Sequence, residues 1–233
     1  MRVALVTGGS RGLGLALARR LASDGWGLVL DARRRRALEA VANELGRVTT
    51  VRAVPGDVGD EEHRLALMAA VEELGGLDLL VHNASLLGPS PQPWLADYPL
   101  PVLQEVFAVN VFAPLRLTQL ALPHLRARAR ILAVTSDAAA EPYPGWGGYG
   151  SSKAALEQLA SVLALEHPEL VVYRVDPGDM RTQMQAEAFP GEDISDRPPP
   201  EDSVPGLLRL IEGDLPSGRY EARTLAPLGA GRS

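Results

Sequence analysis

Tyr149 and Lys153, in the stretch YGSSK, stand four residues apart, and Lys153 is the only lysine in the chain. Every other cationic side chain is an arginine. On a helix, residues i and i+4 share a face, so the two side chains can act together. A phenol with pKa ~10 is a poor proton donor or base at neutral pH; bringing it near 7 needs about 4 kcal/mol of differential stabilisation of the phenolate. A compact ammonium nearby supplies that charge, and its three donors can also hold ligand hydroxyls, tasks that the larger planar guanidinium fits less well. The pair points to acid–base chemistry at a tyrosine. By itself, a Tyr-x-x-x-Lys spacing is more often an ordinary contact on a helix surface.

A second cluster suited to chemistry lies near the start. TGGSRGLG, Thr7–Gly14, follows an apolar run and precedes LALARRLASDG, which reads as a helix. Gly8, Gly12 and Gly14 let backbone approach a pyrophosphate at a helix N-terminus, where free N–H groups and the dipole favour an anion. Ser10, Arg11 and Leu13 complete that loop's candidate contacts.

The elements that must position these groups follow from the hydrophobic pattern. Short β-branched and leucine-rich runs alternate with longer alanine, leucine and glutamate stretches, the pattern of β-α-β units around a parallel sheet. Strands are predicted at Arg2–Thr7, Gly27–Asp31, Val48–Val54, Leu77–His82, Arg130–Thr135, Leu170–Asp176 and Arg219–Thr224. VALV, LVL, LLV and VVYRV are apolar on successive residues, so helices should cover both faces. The expected fold is α/β, a three-layer doubly wound parallel sheet, with residues 1–233 in a single domain. Its ligands should bind beyond the carboxyl ends of the strands, where strand order reverses. GEDISDRPPPED, Gly191–Asp202, cannot be regular helix or central strand.

The chain of 233 residues carries a net charge of −6, which opposes nucleic-acid binding as a main activity. Without cysteine there is no thiol nucleophile or thiolate metal site, and no metal is expected. No uninterrupted apolar run approaches the ~18 residues of a membrane span. The N-terminus runs directly into a strand pattern, and a cytoplasmic location is expected.

The glycine spacing with TG in front resembles the short-chain dehydrogenase/reductase family in its compact single-domain branch, a Rossmann fold. Further matches occur in order along the chain. GDV places Asp57 and Val58 where the family has an Asp–hydrophobic pair for the adenine. HNAS matches the family's NNAG at Asn83 and Ala84 and departs from it at His82 and Ser85, where Ser in place of Gly is expected to crowd the backbone near the cofactor ribose. Ser136, thirteen residues before Tyr149, matches the catalytic serine. Asn110, in VFAVNVFAP, matches the asparagine that holds a water behind the lysine. DPGDMRT places Pro177, Gly178 and Thr182 at the family's nicotinamide-side turn. The resemblance implies hydride transfer between a nicotinamide cofactor and a small-molecule carbonyl or alcohol. Tyr149 would be general acid or base, Lys153 and Asn110 its relay, and Ser136 the group that orients substrate.

An acid at the end of the second strand selects NAD in such folds, and an arginine there receives the 2′-phosphate of NADP. LVLDARRRR offers Asp31 and Arg33. Counting from Gly14 puts the position at Ala32–Arg33, so NADP(H) is favoured, with Arg11 as a second phosphate contact, and NAD(H) stays open. Leu86, Leu87, Trp94, Tyr143, Trp146, Met184 and Phe189 should cluster above the nicotinamide. Residues 183–202 should form a substrate-lid loop, with Gln183–Pro200 replacing the family's usual short helices. The helices Val102–Leu125 and Tyr149–Glu166 correspond to the family's subunit faces, implying a homodimer or homotetramer. The short tail after Tyr220 lacks the family's glycine-rich ending, which alters one frequent subunit contact. Two other readings remain: a silent cofactor-binding scaffold, and an epimerase or dehydratase, which the glycine spacing and chain length disfavour.

Overall fold

The computed structural model describes residues 1–225; the tail from 226 to 233, and with it the expected change in a subunit contact, lies outside the described residues. Seven strands form one all-parallel sheet in the order β3-β2-β1-β4-β5-β6-β7. They are β1 Val3–Val6, β2 Gly27–Ala32, β3 Val51–Pro55, β4 Leu77–His82, β5 Leu125–Val134, β6 Val171–Asp176 and β7 Gly218–Glu221. All residues of β1 and β2 are buried, which is what apolar runs without alternation require of strands covered on both faces.

One helical layer contains α1 (Gly12–Ser23), α2 (Arg35–Leu45) and α8 (Val204–Glu212), whose leucines and valines join one side of the core. The opposite layer contains α3 (Glu61–Glu73), α5 (Ala113–Ala121) and α6 (Gly147–Glu166). Leu17, Leu38, Leu67 and Leu117 are fully enclosed between helices and sheet, each worth about 1.5–3 kcal/mol of burial. Strand order reverses between β1 and β4, so the loops after those two strands open a crevice at their carboxyl ends.

Several boundaries differ from the sequence expectation for identifiable reasons. β5 begins at Leu125, five residues before Arg130. Its first half, LRARAR, alternates apolar and cationic residues with period two, a strand signal that a search for continuous apolar runs passes over. Arg126 there bonds Asp78 at 2.6 Å. β3 reaches Pro55, tolerated because β3 is an edge strand. β7 stops at Glu221, where a 3-10 turn over Ala222–Thr224 packs Ala222 against Gly206 of α8; a Cβ on Gly206 would stand 1.8 Å from the Ala222 carbonyl oxygen. The lid is not loop throughout: α7, Gln183–Ala188, occupies its first six residues, started by Thr182 Oγ1 accepting from the Gln185 N–H. T-x-x-Q is the capping-box pattern that marks this start in the sequence.

The connection from β4 to β5 also differs. Leu100–His124 is one helical stretch of 25 residues, long and apolar enough by length and composition to cross a membrane. No uninterrupted apolar run reveals it, because Gln104, Glu105, Asn110 and Arg116 interrupt the pattern. Ala113, Leu117 and Ala121 on it are fully buried core residues. Within it, α4 (Leu100–Phe107) joins α5 through a π-helical segment, Ala108–Phe112, with Asn110 in the centre. Such segments cluster at functional sites.

Candidate active site

The crevice is a cleft of about 590 Å³ lined from the glycine loop to α6. At one end lie Gly8, Ser10, Arg11, Gly12 and Leu13, with Arg33, Asp57 and Val58 beside them; at the other lie Ser85, Leu86, Tyr149, Lys153, Pro177 and Thr182, with Asn83 and Ala84 between. Gly178, Gly14, Asn110 and Ser136 are not among its walls.

The glycine loop explains its own composition. Gly8 and Gly12 have φ of +68° and +54°, conformations that side chains rarely adopt. A Cβ on Gly14 would stand 2.5 Å from both the Gly8 carbonyl oxygen and Asn83 Nδ2, so this glycine permits close packing rather than facing ligand. Asn83 Nδ2 donates to the Thr7 carbonyl at 2.7 Å, and Thr7 Oγ1 accepts from the N–H groups of Asn83 and Ala84, both at 3.0 Å. Thr7, absent from the expected site residues, is thus the joint between the two loops that form the crevice. The TG pair was its only sequence signal.

α1 opens without a side-chain cap, leaving first-turn N–H groups for an anion. The uncapped helix, the glycine cradle and the exposed Arg33 beside it are the donor set a dinucleotide with an extra phosphate needs. Asp57 Oδ1 accepts from the Gly59 N–H at 2.8 Å, which shapes the turn after β3. Arg11 is paired with the Gln183 side chain of α7. Thr182 both lines the cleft and caps α7, so one residue sets the lid's start and the cleft wall. Gly178 N–H donates to Asp176 Oδ1 at 2.8 Å, fixing the turn after β6.

At the other end, α6 places Tyr149 and Lys153 on one face, as the i, i+4 spacing requires; both are buried, and Lys153 Nζ lies 5.5 Å from the phenol ring centroid. Nζ donates to the Val134 carbonyl at 2.8 Å, and burial draws the ammonium pKa down to about 8. The expectation that Tyr149 has a lowered pKa is corrected here. Burial pushes the phenol well above its ordinary value, a hydrogen bond with the Ser85 hydroxyl pulls the other way, and the Asp176 and Asp137 carboxylates raise it further. With Nζ bonded to the Val134 carbonyl and not to the phenol oxygen, the desolvated phenolate is the costlier state.

Asn110, almost wholly buried, has its side chain satisfied locally. Oδ1 accepts from the Leu86 N–H at 2.8 Å and from Ser85 Oγ at 3.2 Å; Nδ2 donates to the Leu86 carbonyl and to Ser152 Oγ, both at 2.9 Å. Its side chain therefore pins the loop carrying Ser85. Ser85, read from the sequence only as a crowding substitution, bonds Asn110 and lines the cleft with Tyr149, whose pKa it lowers. Ser136 stands just after β5 with its Oγ donating to Asp137 Oδ1 at 2.8 Å, while Asp137 Oδ2 accepts from Tyr143.

Of the expected apolar wall, Leu86 and Met184 line the cleft. Trp146 packs edge-on to Tyr149 and against Phe189, each at 5.8 Å between centroids, and Leu87 is buried beside them. Trp94 and Tyr143 are exposed.

His82 departs from the asparagine expected at its position. It is buried, with Nε2 2.8 Å from Thr118 Oγ1, and desolvation, with Lys153 as a smaller cause, lowers its pKa to about 3. The unfolded chain takes up this proton near pH 6.5 and the native one near 3, so stability is lost as pH falls through that window, about 2 kcal/mol of it by pH 5. His82→Asn is expected to shrink the fall in Tm between pH 7 and 5 by roughly 4–8 °C, measured by thermal melts of both proteins. An equal fall in both would mean that His82 is not the proton acceptor.

Comparison with known proteins gives consistent matches. The family profile described as short chain dehydrogenase matches residues 2–193. Dehydrogenase/reductase SDR family member 4 of Bos taurus is 39% identical over 191 residues, covering 78% of this chain but 66% of that protein, just under two thirds of its length. The uncharacterized oxidoreductase YciK of Escherichia coli is 34% identical over 229 residues, covering 91% of this chain and 87% of YciK. The solved YciK structure superposes with a TM-score of 0.88 at 31% identity, over 95% of each chain. An alcohol dehydrogenase from the archaeon Thermococcus sibiricus, complexed with 5-hydroxy-NADP, does so with a TM-score of 0.85 at 29% identity, again over 95% of each.

Proposed function

The chain belongs to the short-chain dehydrogenase/reductase family, and from that premise we propose that it is an NADP-dependent oxidoreductase acting on a small carbonyl or alcohol, with Tyr149 as general acid or base. The observation that carries the cofactor choice is the state of two side chains after β2. Asp31 is buried with both carboxylate oxygens engaged, whereas Arg33 is exposed on the cleft wall. An engaged acid is a poor partner for ribose hydroxyls, and a free guanidinium beside the cleft suits a 2′-phosphate. The NADP analogue in the Thermococcus sibiricus structure supports the same choice.

The cofactor, when bound, supplies the hydride chemistry. The residues' work is separate. Gly8, Gly12 and the start of α1 receive phosphate through backbone; Asp57 and Val58 border the adenine side; Asn83, Ala84, Pro177 and Thr182 frame the nicotinamide side. Tyr149, held protonated by burial, donates its phenolic proton to the carbonyl oxygen as that oxygen gains charge. Lys153 keeps a cation beneath the ring and holds sugar hydroxyls, and Asn110 anchors the Ser85–Leu86 loop against α6. Ser136, released from Asp137, orients the carbonyl. Trp146, Met184 and Leu87 give the substrate side an apolar character, which favours uncharged carbonyl compounds. For assembly, exposed Phe112, Leu115, Val162 and Leu165 at and beside α5 and α6 support a homodimer or homotetramer through that face.

Arg33→Ser tests the cofactor assignment. Loss of charge-assisted hydrogen bonds, worth roughly 1.5–3 kcal/mol, should weaken NADPH binding by about 10- to 150-fold and leave NADH binding within about twofold, as read by fluorescence titration. Equal weakening of both cofactors, or a wild type that prefers NADH, would reject the NADP assignment. A wild type that binds a cofactor yet turns over no carbonyl or alcohol would favour the scaffold reading.

A further inference from the structure

His63 is a buried histidine that the mechanism does not use. It lies in the first turn of α3, 9% exposed, with Nε2 3.1 Å from Oδ2 of Asp31, itself 2% exposed at the end of β2. An ionised carboxylate only accepts, so Nε2 carries the proton of this contact. The other oxygen, Oδ1, accepts from the Gly8 N–H at 2.6 Å. His63 reaches the strand end because residue 56 is glycine: a Cβ there would stand 2.3 Å from His63 Nδ1. The glycine loop, the end of β2 and the start of α3 therefore meet on one carboxylate, with the turn after β3 packed against His63.

We propose that His63 is a positioning residue for cofactor selectivity, acting through Asp31. By holding the carboxylate against the Gly8 N–H, it withholds from the cleft the acid that would pair with unphosphorylated ribose and repel a 2′-phosphate at Arg33. The inference rests on the NADP reading above. Asp31 sits on the cleft wall, so it needs to turn only a short way to face a ligand. Without His63, Oδ2 loses its buried partner, and an unpaired carboxylate oxygen is costly in a buried site. Rotation toward the cleft and its water relieves that cost. There the carboxylate accepts from ribose hydroxyls and stands as a like charge beside a phosphate. Arg33 alone thus does not set the preference; the chain keeps an acid at the NAD-selecting end of β2 and disarms it.

The test uses the full chain as wild type, His63→Leu, His63→Gln, Asp31→Asn and the Asp31→Asn/His63→Leu double variant, with Kd for NADPH and for NADH measured by fluorescence titration and Tm recorded for each. His63→Leu is expected to lower the NADPH-over-NADH affinity ratio about tenfold, equivalent to ~1.4 kcal/mol. His63→Gln, whose amide N–H can replace the Nε2 donor, should hold the ratio within about twofold. In the Asp31→Asn background, removing His63 should leave the ratio unmoved, because no carboxylate remains to release. Should His63→Leu fail to fold, His63→Phe, which keeps a ring in the space, takes its place. A histidine that only supports the fold would lower Tm and weaken both cofactors alike; that result, or an equal ratio change in the double variant, overturns the proposal while leaving the NADP reading intact. A wild type that prefers NADH overturns both.

Discussion

Replacing Tyr149 by Phe is expected to lower kcat for carbonyl reduction by about 10²- to 10⁴-fold, the usual contribution of a positioned acid. The phenol ring is buried and packs edge-on to Trp146, and phenylalanine preserves that contact, so folding should be retained. What disappears is the hydroxyl alone. Steady-state rates over a panel of aromatic and aliphatic carbonyls give kcat, and a titration gives Kd for NADPH, which should stay within about twofold because the interaction lost belongs to the transition state. A fall in kcat below about tenfold would mean that another group donates the proton.

Lys153→Arg should cost a further large factor, about 10²-fold or more in kcat, despite conserving charge. The lysine is 2% exposed and its Nζ has one short bond to the Val134 carbonyl. A guanidinium is wider, cannot keep that single-point contact and must displace the Tyr149 ring or the end of β5. The native ammonium, with its pKa drawn to about 8 by burial, also sets two opposite pH trends. Activity that needs the cation should decline as pH rises through 8. Stability should rise between pH 8 and the unfolded value of ~10.5, because there the unfolded chain holds the proton that the native chain has released, a gain of about 3 kcal/mol in all. Lys153→Met should abolish that rise. Thermal melts from pH 7.5 to 10.5 check it, and a wild-type profile as flat as the variant's would contradict the burial account.

Much of this site could be read from residue order alone, because the fold places ligands at strand ends and the chemistry-bearing residues follow strands. Gly8 to Gly14, Asp57, Asn83, Tyr149 and Thr182 all occur just after a strand or at a helix start, and Lys153 lies one turn beyond Tyr149 on α6. What escaped were partners set by three-dimensional neighbours. Asp31 had two candidate directions in sequence, and only His63, thirty-two residues on, and Gly8, twenty-three back, fix one. Ser85 read as a misfit because sequence does not reveal that it bonds Asn110 and lines the cleft with Tyr149. The phenol's raised pKa is likewise a matter of burial, which the YGSSK spacing cannot convey. The first half of β5 escapes a search for apolar runs because its arginines alternate along a stretch that solvent reaches.

The π-helical segment at Ala108–Phe112 closes its backbone bonds over one residue more than the helices on either side, so it inserts one residue into the helical count. A helical wheel drawn from Leu100 onward is therefore a residue out of step beyond Phe112, about 100° of rotation. The face bearing Leu115 and the inner line of Ala113, Leu117 and Ala121 must be drawn on a fresh wheel started at Ala113. For anyone reshaping the outer surface of this helix, Leu100–Phe107 and Ala113–Ala121 are two pieces with separate phases, joined end to end at the residue that holds the Ser85 loop.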